Sequence, residues 1–395
     1  MIRGTSQGIS EENSEPPGAS ASGRRLAGSR AAWLLFALIV LLFGARAALQ
    51  YRPLSYLVGD CPYYAMASVS MLYDGDLDLR NQLQGGLSVH GRQIALGDDG
   101  AWYPKHPLLM PLLSIPFLMA FGVPGFLLFN ILVLALLALA LMQLARTAAP
   151  PFIAATAAFL LITGTFLRRY DYNYSPDLFA TLVLVIAILM IIRGRDVAGG
   201  LLAGAAVAAK MTHLFLVPIF LGYAVWARGW RGGLRASCGA AGPLLALALL
   251  NLSLFGSPFT TSYDRNVVIE GDTVSTLSHR GLFDGDPIAG LLAELFDPQH
   301  GLLTTSPVLF LALPGLVLLF RKRPRDAVLY VVVAEFLLLL FATYRHWDTS
   351  HYGNRFLMPV VAVCAPAVAL TLEWIARRLR HRDAPLPKAP AIPTP

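Results

Sequence analysis

The segment "GDCPYYAMASVSMLYDGDLDLRN", Gly59 to Asn81, follows an apolar run from Ala31 to about Leu49 that is long enough to cross a bilayer. An acidic, tyrosine-rich segment at the point where a chain leaves a membrane is either a solvated loop or a reaction centre. The rest of the chain decides between the two.

Only 14% of the 395 residues are charged and 56% are hydrophobic, with a mean hydropathy of +0.58. A soluble domain carries about 25% charged residues. Apolar runs of about 17–25 residues recur along the whole length, the pattern of membrane-spanning helices. The expected fold is therefore an all-α polytopic membrane protein. The net charge of +7 sits mostly in short loops, where Lys and Arg set orientation, and does not point to nucleic acid. Cys238 and Cys364 fall within apolar runs and Cys61 in the opening segment, so no pair suggests a disulfide framework or a zinc site.

Candidate spans lie near residues 31–50, 125–145, 151–167, 177–193, 199–211, 213–228, 236–254, 303–320, 326–343 and 357–376. The stretch 108–121 is apolar but broken by internal prolines. If it only dips into the membrane, five basic clusters share one side: Arg146; Arg193 with Arg195; Arg228 with Arg231 and Arg235; Arg321 to Arg325; and Arg377 to Arg382. The positive-inside rule then makes that side cytoplasmic, with both termini, and gives about ten spans. Arg168 and Arg169 are the exception. Residues 1–30 and 379–395 read as disordered cytoplasmic tails around a membrane domain at 31–378. Its long outer loops are 51–106, with interfacial helices, and 256–302.

The unusual polar residues collect on the outer face. Asp60 either N-caps the amphipathic helix "PYYAMASVSMLY" or, partly desolvated with a raised pKa, acts as a base towards a hydroxyl. "DGDLDLRN" is a cation loop or, lacking the rest of an EF-hand, a solvated turn. Lys105 and His106, beside Pro104 and Pro107, suit a lipid phosphate or a snorkelling anchor. In "YDYNYSPDLF", Ser175 can cap a helix with Pro176 at its first position; Asp177 then meets the helix dipole, which leaves Asp171 unexplained. Lys210 ends the small-residue span "GGLLAGAAVAAK", where a lysine is costly unless paired or wetted. "RHWDTSHYGNRFLMP" brings Arg345, His346, His351 and Arg355 together; arginine forks suit phosphate, and no further His/Cys pattern favours a metal. No nucleotide-binding loop is present, so an energy-rich substrate is expected to arrive through the membrane.

Taken in order, these motifs resemble the GT-C class of membrane glycosyltransferases, in particular bacterial relatives of protein O-mannosyltransferases and of the lipid A aminoarabinose transferase. "GDCPYY" resembles the opening of their first outer loop, and "DGDLDLRN" its continuation. "PKHPLL", "SPDLF", "AAK", "HGLLTTSPVLFLALPGL" and "YGNRFLMP" resemble later motifs, over roughly residues 31–378. The resemblance implies transfer of a sugar, with inversion, from a polyprenyl-phosphate donor to an envelope glycan, lipid or protein acceptor on the outer face of the bacterial cytoplasmic membrane. It implies Asp60 as base or acceptor-orienting group. Lys105, His106, Arg355, Lys210 and Arg345 would hold the phosphate. Tyr63, Tyr64, Asp171, Asp177, His346 and His351 would position sugar or acceptor. Cys61 stands where many relatives have Glu, which removes a two-acid site and makes a metal cofactor unfavoured. The rival readings are a lipid or sugar transporter or flippase, which would use charges at the midplane, and a non-catalytic scaffold for envelope assembly.

Overall fold

The computed structural model describes residues 21–83, 93–270, 273–349 and 352–382. The expected tails fall largely outside them, as does His351. The parts of the tails that are described are helical: the first helix runs Ala21–Gln50 and the last Ala365–Arg382. Helix formers such as Arg24, Arg25, Leu26 and Ala27 extend the first turns, and the last helix runs on through its arginines.

The molecule is a helical bundle with the surface of a membrane protein. In the first helix Ala31, Leu35, Ile39, Phe43 and Ala47 form a buried stripe, while Trp33, Leu34 and Leu41 point outward and exposed. An outward face that is also apolar is solvated by lipid rather than water. Among the described residues, three helices are long and apolar enough to cross a bilayer: Leu26–Gln50, Pro124–Ala145 and Met211–Phe255. The pair Arg355–Val363 and Ala365–Leu379, bent by 47°, makes a fourth. Shorter apolar helices cover Pro151–Gly164, Pro176–Ile192 and Asp196–Ala209.

The continuous helix Val217–Phe255 is broken at Gly229, whose φ of 70° favours glycine. A Cβ placed on Gly233 would lie 2.4 Å from Val225. Residues eight apart in a straight helix are about 12 Å apart, so the chain doubles back at Gly229. The stretch 228–235, expected as a loop, is thus a helix–helix reversal. The second arm packs on Asp196–Ala209 through small residues: Gly200 abuts the Ala236 carbonyl and Gly239 the Val197 carbonyl.

The helix Leu109–Phe121 does not cross the bundle. It starts just after His106, and the carbonyl of Val123, just past its end, accepts a hydrogen bond from Tyr56 at 2.6 Å. Both ends lie on the side that carries the loop 51–106.

One feature is absent from an all-α reading. A four-stranded antiparallel sheet of order β2-β1-β3-β4 joins the two long loops: β1 Ile94–Leu96, β2 Trp102–Pro104, β3 Asn266–Glu270 and β4 Thr273–Leu277. Ala95 faces Asn266 across the β1–β3 pair. Buried Tyr63, Met66, Leu79, Ile94 and Val267 form a small second core beneath it. The sheet fixes the loop 51–106 against the loop 256–302, above the ends of the helices.

Candidate active site

Four segments, from distant parts of the chain, bring their polar side chains to one end of the bundle. Gly59, with a φ of 61°, turns the chain into the Cys61–Val69 helix and leaves Asp60 just before its first residue. Asp60 makes no side-chain cap to that helix. Its carboxylate instead accepts from Arg355 Nη2 at 2.8 Å. Arg355 follows Asn354, whose side chain accepts from the Phe356 amide and caps a short turn. Arg355 Nε also lies 3.8 Å from Asp177 Oδ2.

Asp177 occupies the first turn of the Pro176–Ile192 helix, capped by Ser175 as the sequence implies. The turn before it is clamped by Asn130, which donates to the carbonyls of Tyr170 (2.9 Å) and Asp171 (3.0 Å) and accepts from the Ser175 amide (2.9 Å). Asp177 accepts a hydrogen bond from Lys210, where the Asp196–Ala209 helix ends in extended backbone. Lys210 Nζ stands 4.5 Å from the Phe356 ring centre. Asp60, Arg355, Asp177 and Lys210 thus form one continuous ionic chain.

Lys105 and His106 close the site from the end of the loop 51–106. The His106 ring stacks on Tyr64 at 4.8 Å. Its Nδ1 lies 3.4 Å from the Tyr263 hydroxyl, and its buried Nε2 has no hydrogen-bond partner among the described residues. Lys105 Nζ lies 5.7 Å from the Tyr263 ring centre and donates to Gln93 at 2.8 Å.

The charge balance corrects one expectation. Burial pushes the Asp60 pKa up, but Arg355, His106 and Lys105 more than offset it, leaving the carboxyl at about 2 rather than raised. Burial lowers Lys105 to about 8, against the pull of Asp60. Burial lowers His106 to about 4, so near neutrality it offers an N–H or a lone pair and no charge. Three cations, Lys105, Lys210 and Arg355, therefore face two carboxylates, Asp60 and Asp177. The site carries a surplus positive charge in a partly desolvated setting, where it attracts an anion strongly.

Other expected site residues stand elsewhere. Tyr63 packs in the core beneath the sheet. Asp171 is fully buried and pairs with Arg46 of the first helix at 3.4 Å; burial raises its pKa despite that arginine. Arg345 is exposed and pairs with Asp284 at 2.5 Å. Exposed His346 meets the Tyr344 ring edge-on. "DGDLDLRN" behaves as a turn tied by its own side chains, with Asp78 accepting from Arg80 and from the Trp102 amide at 3.1 Å. Tyr263 and Asn130 were not among the expected site residues. Asn130 does carry a signal, an amide set within a run of apolar residues.

A separate apolar groove of about 560 Å³ is lined by Leu109, Leu112, Ala205, Ala208, Leu247 and Leu250 among others. Ala208 and Leu108, which also line it, lie two residues from Lys210 and from His106.

No protein-family model matches the chain, and no curated protein does. Among solved structures it is similar to ArnT from Cupriavidus metallidurans bound to undecaprenyl phosphate, at 15% identity and a TM-score of 0.58, covering 92% of this chain and 62% of that one. It is also similar to the oligosaccharyltransferase of Archaeoglobus fulgidus tethered to an acceptor peptide, at 15% identity and a TM-score of 0.57, covering 89% and 50%. The same archaeal enzyme, AglB, in complex with an inhibitory peptide and a dolichol-phosphate, matches at 15% identity and a TM-score of 0.52, covering 90% and 52%. The chain therefore spans about half to two thirds of the length of these proteins. At this level of identity the likeness shows a shared fold: the bundle described above has the helical membrane fold of these proteins.

Proposed function

We propose that the protein transfers a sugar from a polyprenyl-phosphate donor to an acceptor at the outer face of the bacterial cytoplasmic membrane, with inversion. The observation that carries this reading is the chain Asp60–Arg355–Asp177–Lys210, with Lys105 beside it and an apolar groove lined by near neighbours of Lys210 and His106. A lipid phosphate needs that combination: concentrated cations for the head and an apolar channel for the tail. The two solved relatives carry polyprenyl or dolichol phosphates, as their names state. About ten spans, with the site end outward, follow from the basic clusters at the other end.

In this reading the acceptor hydroxyl attacks the anomeric carbon and gives its proton to Asp60. The bond from that carbon to the phosphate oxygen breaks, and the electron pair stays on the phosphate. Arg355, Lys210 and Lys105 stabilise the charge that grows there. His106 and Tyr64 line the sugar, and Asp177 orients Lys210 and Arg355.

Asp60 at a pKa of about 2 is a poor base while Arg355 holds it. A donor phosphate competes for the same guanidinium. Once it takes Arg355, Asp60 loses its largest opposing charge and its pKa rises. Donor binding would thereby prime the base.

A panel of polyprenyl-phosphate sugars, incubated with the purified protein in detergent, tests the reading by the polyprenyl phosphate released. Release with at least one donor supports it. Donor moved across a bilayer uncleaved, with no release, would favour a transporter instead.

A further inference from the structure

At the other end of the bundle lies a second polar site. The Pro176–Ile192 helix starts with Asp177 in its first turn and ends beside Arg193, about 25 Å away along its axis. There a cavity of about 360 Å³ is lined by Gln143, Arg146, Thr147, Ile192, Arg193 and Arg323. Its arginines are held in place. Arg193 donates to Gln143 at 3.1 Å, and Arg323 donates to the Thr147 carbonyl at 2.7 Å. The Arg146 guanidinium packs against Gly28 of the first helix, where a Cβ would lie 2.8 Å from its Nη2.

The counter-charges at this end are already engaged. Asp326 pairs with Arg323 at 2.6 Å, Asp196 with Arg228 at 2.5 Å, and Glu373 with Arg377 and Lys322. Among the described residues no carboxylate pairs with Arg146 or Arg193. Among the described residues, two guanidinium groups thus share one cavity without a carboxylate partner, a repulsive arrangement that a bound anion would relieve. Guanidinium forks match phosphate oxygens through paired hydrogen bonds. The cavity lies between helices at the end of apolar segments, the depth of lipid head groups, where basic pockets take anionic lipids.

We infer that this cavity binds the phosphodiester head group of an anionic phospholipid in the leaflet opposite the Asp60 site. The inference needs the membrane setting but not the transferase reading, because it rests on different residues.

The test uses the full chain in mixed micelles of phosphatidylglycerol or phosphatidylcholine, with inorganic phosphate as a separate arm. Wild type is expected to bind phosphatidylglycerol in preference and to gain thermal stability from it. Arg193→Gln, at an exposed position, should weaken that binding about fivefold, and Arg193→Gln with Arg146→Gln about twenty-five-fold. Donor-lipid binding at the Asp60 site should be unchanged in Arg193→Gln, which separates this proposal from the transferase reading. Equal preference for phosphatidylglycerol in wild type and in Arg193→Gln would overturn the inference. So would inorganic phosphate at matched concentration giving the whole effect, since the ligand would then be a free anion.

Discussion

Asp60 and Arg355 are 295 residues apart in sequence, and their side chains meet at 2.8 Å. The contact joins the start of the loop 51–106 to the entry of the last helices. Through Arg355 it also links the acid of the opening segment to Asp177.

Arg355→Lys should keep a charge but lose the fork that reaches both carboxylates. The expected result is a fall in turnover of at least tenfold, measured as polyprenyl phosphate released. Arg355→Ala should also destabilise the fold by about 3 kcal/mol, because it leaves the partly buried Asp60 carboxylate without its ion-pair partner. Thermal unfolding in detergent reads the difference between the two variants.

Lys105 carries a cation whose pKa burial lowers to about 8. Its charge is present below that value and is lost as pH rises through it. Turnover should therefore decline above about pH 8. In Lys105→Arg, with a side chain that stays protonated, the alkaline limb should move up or vanish. A pH–rate profile of the variant that matches wild type would remove Lys105 from the phosphate site.

Glu294 is fully buried, accepts from Asn354 at 2.9 Å, and has a second oxygen without a partner among the described residues. Burial raises its pKa to about 8, with Asn354 pulling the other way. The unfolded chain releases this proton near the ordinary carboxyl value, so between that value and about 8 the folded state holds more protons. Stability should fall as pH rises across this window and level off above it. Glu294→Gln should flatten the dependence, by a few kcal/mol at high pH. Thermal unfolding at pH 5 and pH 9 checks the sign.

Asn130→Leu removes one side chain that serves two carbonyls and one amide. The expected cost is about 2–3 kcal/mol. The turn that aims Asp177 should loosen, so turnover should fall more than the stability loss alone explains. Unchanged turnover in a folded variant would mean that the Ser175 cap alone holds Asp177.

The apolar runs announced the bundle, and the stripe of glycine and alanine before Lys210 announced a close helix pair. Asp60, Lys105, His106, Asp177, Lys210 and Arg355 were legible because polar residues at the ends of apolar helices are expensive and few. The sheet was not. Its strands are three to five residues long, and β1 pairs with β3 across some 170 positions, so no local alternation betrays it. Tyr263 was hidden for the same reason, since only that pairing brings the second loop over His106. Arg345 looked equivalent to Arg355 by type and proximity; only the fold separates an exposed partner of Asp284 from a half-buried partner of Asp60. The direction of the Asp60 pKa was also illegible, because burial is local while the cations that oppose it come from distant segments.

The most direct test of the central claim compares wild type with Asp60→Asn for both binding and turnover of one polyprenyl-phosphate sugar. The account predicts that the variant binds donor at least as tightly, since Arg355 is released from its ion pair, and that its turnover falls by a factor of at least about 100. A variant that turns over donor at the wild-type rate would contradict it.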